Sequence, residues 1–150
     1  MQLVYNALAN GTYLQEKALK ISGDLADHLD FITVKTSLFP KVAAVFTHTT
    51  TLGTKIATLD CFLAMVPKLD NVSSLLAMTD DKFTMTEKVI PLLRNIKTKE
   101  PSVTLAALSV YAEMGRRLGQ DVVASDILPS LWPMTVGVLL NIEQVIFLRT

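Results

Sequence analysis

Three prolines fall at equivalent places in three look-alike segments, and this repetition limits the fold more than any other feature of the chain. The segments "SLFPKVAAVF", "EKVIPLLRNI" and "DILPSLWPMT" contain Pro40, Pro91 and Pro129. Aligned on those prolines, Phe39, Ile90 and Leu128 share one column, Val42, Leu93 and Leu131 a second, and Val45, Ile96 and Met134 a third. Apolar residues three apart on the same side are the mark of an amphipathic helix. A proline costs roughly 3 kcal/mol in a helix interior but little in the first turn, where its missing N–H has no intrahelical partner. Each helix is therefore expected to begin close to its proline. Thr84 with Glu87 supplies a capping box for the helix at Pro91.

A second family of segments supplies the other half of the repeat. "LQEKALKISGDLADHLD", "TKIATLDCFLAMVPKLD" and "VTLAALSVYAEMGRRLG" superpose on Leu29, Leu69 and Leu118. That register aligns Leu19 with Leu59 and Leu108, Leu25 with Met65 and Met114, Ile21 with Cys61 and Val110, and Ala18 with Thr58 and Ala107. Proline helices and leucine-column helices alternate along the chain, so the unit is a helical hairpin used repeatedly. The expected fold is all-α: an α-solenoid of HEAT/armadillo-like hairpins stacked into a right-handed superhelix. Residues 1–150 make a single module of three to four hairpins, the first and last incomplete. Neither end carries the polar outer face of a capping repeat, so a fragment of a longer protein is expected.

Composition narrows the function classes. Fourteen basic and 14 acidic residues leave a formal net charge of zero, which removes the electrostatic case for nucleic acid as a partner. Cys61 is the single cysteine, so neither an internal disulfide nor a cysteine-based zinc site can form within the chain. In the Ile21 and Val110 column it reads as inert packing. His28 and His48 are too few for a metal or triad argument, and the six glycines never take a phosphate-loop spacing. The chain shows no catalytic residue, no cofactor-binding residue and no metal ligand. Its longest uncharged run, from Ile127 to Ile142, contains Pro129 and Pro133 and is shorter than the ~20 residues of a membrane span.

Two stretches stand out as candidate contacts. Arg94, Lys97 and Lys99 cluster in "RNIKTKEP", where they suit an acidic partner surface or an anionic membrane surface. The connection between Leu69 and Pro91 is 11 residues longer than its two counterparts. It contains "LLAMTD", in which Leu75, Leu76, Met78 and Asp80 nearly match the short leucine-rich peptides that bind clathrin's terminal domain.

In combination these elements resemble a known family. "LQEKALKISGDLADHLDFITVKTSLFPKV", "TKIATLDCFLAMVPKLD" and "VIPLLRNIKTKEPSVTLAALSVYAEMGRRLG" are similar to the HEAT-repeat region of the SCY-like (Scy-one-like) pseudokinases, and "KTKEPSV" with "ILPSLWPM" lean toward the coated-vesicle-associated kinase branch. The resemblance implies a degenerate kinase domain before the repeats and a disordered tail after them. It further implies a non-catalytic scaffold in clathrin- or coat-dependent traffic among Golgi, endosomes and plasma membrane, with clathrin, adaptor or coatomer components as partners. The location it implies is cytoplasmic, peripheral to Golgi and endosomal membranes. No Gly-rich loop, H-R-D or D-F-G occurs in this chain. Two alternatives stand beside this reading: a HEAT fragment of a nuclear-transport or phosphatase-regulatory scaffold, or part of a protein whose kinase domain retains ATP binding and phosphotransfer.

Overall fold

The computed structural model describes residues 2–9, 12–69 and 84–135. They form seven helices, with no strand among them. Helix α1 is Gln2–Ala9 and α2 is Thr12–Ala26; α3 spans 31–48, α4 is Leu52–Leu69, α5 spans 84–94, α6 is Pro101–Arg117 and α7 spans 120–135. Helices α2, α4 and α6, which carry the leucine columns, lie side by side in one layer, with α4 packed against both neighbours. Helices α1 and α3 pack together in the other layer, so consecutive hairpins stack as an α-solenoid.

The aligned columns form the core. Leu19, Leu59 and Leu108 are buried, and so are Ala18, Thr58 and Ala107, whose small side chains let neighbouring helices approach. Phe62 of α4 meets Phe39 and Phe46 of α3 with ring centroids 5.6 and 5.8 Å apart, which fastens the second hairpin internally. Ile21 departs from its column. Cys61 and Val110 are buried, whereas Ile21 is 49% exposed. Cys61 faces α2, the preceding helix of its layer, and among the described residues no leucine-column helix precedes α2.

The prolines do not begin their helices. Each sits inside a longer helix, two residues after a five-residue π-helical turn: Val34–Leu38 before Pro40, Met85–Val89 before Pro91, Val123–Ile127 before Pro129. In these turns an N–H reaches back five residues instead of four: Phe39 to Val34, Ile90 to Met85, and Leu128 to Val123. A proline ring clashes with the carbonyl four residues earlier and leaves it without a donor; a widened turn redirects those carbonyls and makes room. The capping box is likewise absent. Thr84 is already helical at φ −64° and ψ −38°, caps nothing, and buries a hydroxyl with no hydrogen-bond partner among the described residues.

The helices start elsewhere and for ordinary reasons. Asp30, extended at φ −71° and ψ 155°, accepts hydrogen bonds from the Thr33 N–H at 3.1 Å and the Thr33 hydroxyl at 2.6 Å, opening α3. Those two bonds hold its carboxyl below the usual aspartate range. Gly119 precedes α7. Pro101 is the proline that occupies a first turn, following the extended Glu100 at the start of α6.

Candidate functional site

The connection between α5 and α6 (residues 95–100) folds beside α7 and encloses a cleft of about 550 Å³. Arg94, Lys97 and Lys99 all line it, so the three basic residues singled out in the sequence are brought together. Ile96 from the connection and Pro129, Pro133 and Met134 from α7 add apolar lining, the two prolines being exposed. Thr98, Thr104 and Ser130 add hydroxyls.

The three cations differ in what they are free to do. Arg94 ends α5 and reaches across to α7: its Nε donates to the Ser130 hydroxyl at 2.6 Å, and its Nη2 donates to the Asp126 carbonyl at 3.0 Å and carboxylate at 3.5 Å. Ser130 in turn donates to the Asp126 carbonyl. The guanidinium thus works as a clamp between the third hairpin and the helix that follows it. Lys97 and Lys99 are exposed and form no ion pair among the described residues. Farther along α6 the basic charge is neutralised at short range, because Glu113 binds both Arg116 and Arg117 at 2.8 Å.

Tyr111 of α6 lies beneath this network. It is 1% exposed, and its hydroxyl makes no hydrogen bond of normal geometry among the described residues. Burial pushes its pKa up to about 12, against the opposing pull of the nearby Ser130 hydroxyl and Arg94 charge. Sequence reading missed Asp126, Ser130 and Tyr111, since nothing local to "SDILPS" or "VYAE" signals a partner on another helix. Leu75, Leu76, Met78 and Asp80 lie outside the described residues.

Other chemistry-bearing groups are placed as packing. Cys61 is buried at the α2–α4 contact, and desolvation, with Asp60 adding to it, drives its thiol pKa up to about 12, so it carries no thiolate at neutral pH. Met65, Met85 and Met114 are buried in the core, whereas Met134 lines the cleft. Among the described residues no group of three His, Cys, Asp or Glu side chains could hold a metal ion, and no helix is long and apolar enough to cross a membrane.

Relatives of the chain are found among kinase-related proteins. It is 32% identical over 142 residues to the protein kinase domain-containing protein ppk32 of Schizosaccharomyces pombe, a match covering 94% of this chain and 18% of that protein. It is 27% identical over 149 residues to SCY1-like protein 2 of Homo sapiens, covering 96% of this chain and 15% of the relative. It is 29% identical over 131 residues to the protein kinase-like protein SCY1 of Saccharomyces cerevisiae, covering 87% and 15%. The chain therefore spans less than a fifth of the length of these relatives. No family model and no solved structure matches it.

Proposed function

Because the chain belongs to the SCY-like family of protein kinase-like proteins, we propose that it is a non-catalytic scaffold module of HEAT-repeat type acting in clathrin- or coat-dependent vesicle traffic. The observation that carries this reading is that the family match runs through the entire hairpin repeat, a layered helical stack unlike a kinase fold. Stacked hairpins offer an extended, pre-organised surface on which partners are held without chemistry at the module itself. In this reading the partners are clathrin, adaptor or coatomer subunits, and the module works at the cytoplasmic face of Golgi and endosomal membranes. Any phosphotransfer by the parent protein would belong to residues outside this stretch. The basic cleft beside α7 is the contact point we assign to the partner.

Affinity capture from cell lysate with this chain as bait, read by mass spectrometry, tests the proposal. Lys97→Glu/Lys99→Glu is the control, chosen because both side chains are exposed and the change spares the core. Recovery of coat or adaptor subunits that falls in the variant supports the scaffold reading. A folded bait that retains none of them overturns it.

A further inference from the structure

We propose that the cleft between the α5–α6 connection and α7 docks an acidic peptide segment carrying an apolar side chain. The inference rests on the scaffold reading and names the chemistry of what the scaffold would hold. Lys97 and Lys99 are two residues apart in a non-helical stretch, and both line the cleft and are exposed. The apolar part of the lining comes from Ile96, Pro129, Pro133 and Met134. A volume of about 550 Å³ is enough to receive side chains of a short segment.

The details favour carboxylates over phosphate. The one guanidinium here, which could grip a carboxylate or a phosphate bidentately, is already bound to Ser130 and Asp126, so the lysines carry the available charge and the apolar lining decides between the two anions. What remains are two lysines, mobile point charges that accept carboxylates in many geometries. A bare phosphate group would leave the apolar lining uncovered, and a flat bilayer surface does not fill a recess. A peptide with acidic residues on either side of a leucine satisfies the lysines and the apolar lining together: charge guides the encounter and the apolar side chain holds the complex.

Fluorescence anisotropy on the full 150-residue chain is the test. The probe is a fluorescein-labelled peptide with Asp and Glu flanking a Leu-Leu pair. Comparison peptides replace the leucines with serine, or the acids with their amides, and a third arm offers phosphatidylcholine vesicles containing a phosphoinositide. We expect saturable binding of the probe, weakened about tenfold or more by Lys97→Glu/Lys99→Glu and by raised salt, and weakened by either peptide change. Met134→Ser should weaken it as well, with thermal melting confirming that both variants remain folded. Absence of saturable binding, binding indifferent to the lysine variant, or binding of the vesicles in place of the peptide would overturn the proposal. If the peptide fails while coat subunits are still captured from lysate, the scaffold reading stands and only this ligand assignment falls. If the peptide binds and no coat subunit is captured, the reverse holds.

Discussion

Tyr111 is the residue at which burial and hydrogen bonding conflict. Its hydroxyl is shut away from water, and the nearest polar neighbour, Ser130, is already engaged by Arg94 and Asp126. An unsatisfied buried hydroxyl costs about 1–3 kcal/mol, whereas removing it leaves the ring packing intact. Tyr111→Phe should therefore leave stability unchanged or raise it by up to about 1 kcal/mol in urea unfolding. The pH dependence has a definite sign. The folded-state pKa, about 12, lies above that of an exposed tyrosine, so the neutral hydroxyl is favoured in the folded chain. Its contribution is full below about pH 10 and is lost as pH rises toward 12, where the unfolded chain ionises first. The stability difference between Tyr111→Phe and the parent should widen in favour of phenylalanine across that window, and a constant difference would contradict the burial argument. Cys61 obeys the same physics at a position the sequence did reveal, through its apolar column. Its thiol should resist a thiol-specific reagent at neutral pH in the folded chain and react on unfolding in urea, as an absorbance assay for released thiolate would record.

At the scale of the helix, the sequence told more than the first-turn reading of proline drew from it. Two rules fit "SLFP", "EKVIP" and "DILP" equally: proline opening a helix, or proline following a π turn. The residues upstream argue against the first, though they do not reveal the widened turn itself. Val34, Met85 and Val123 form one further aligned apolar column, and Leu38, Val89 and Ile127 another, so the amphipathic face continues ahead of each proline. The hairpins and their core columns were legible because burial repeats with the helical period. The π turns were not, because one extra residue in a turn shifts the register without breaking that pattern. A transposition tests the accommodation. Moving the proline one position along, with Pro91→Leu and Leu92→Pro together, keeps composition but takes the ring off the π turn. It should cost about 3 kcal/mol in denaturant unfolding, the ordinary cost of proline in a helix interior. An equally stable transposed variant would show that the π turn has no special relation to its proline.

Across the molecule, stability should be a sum of hairpins and of the contacts between neighbouring hairpins, since the most extensive packing runs from α2 to α4 and from α4 to α6 within one layer. Helix α4 has neighbours on both sides in its layer and also holds α3 through Phe62, so its amides should exchange most slowly. Helix α7 is held differently. Leu128 and Trp132 on it are 56% and 75% exposed, and polar bonds from Arg94 to Ser130 and Asp126 tie it to α5. Such a pair of half-exposed side chains is worth little by Coulomb attraction alone, but Arg94 also makes three hydrogen bonds across the junction. Arg94→Met keeps the apolar stem and removes those bonds. Hydrogen exchange followed by mass spectrometry should then show faster exchange through residues 120–135, by roughly fivefold if about 1 kcal/mol of local opening energy is lost. Exchange in α2, at the far end of the stack, should not change. Uniform acceleration in both helices would mean that the chain opens as one cooperative unit, and the clamp would then be part of global stability rather than the local fastening of the cleft wall.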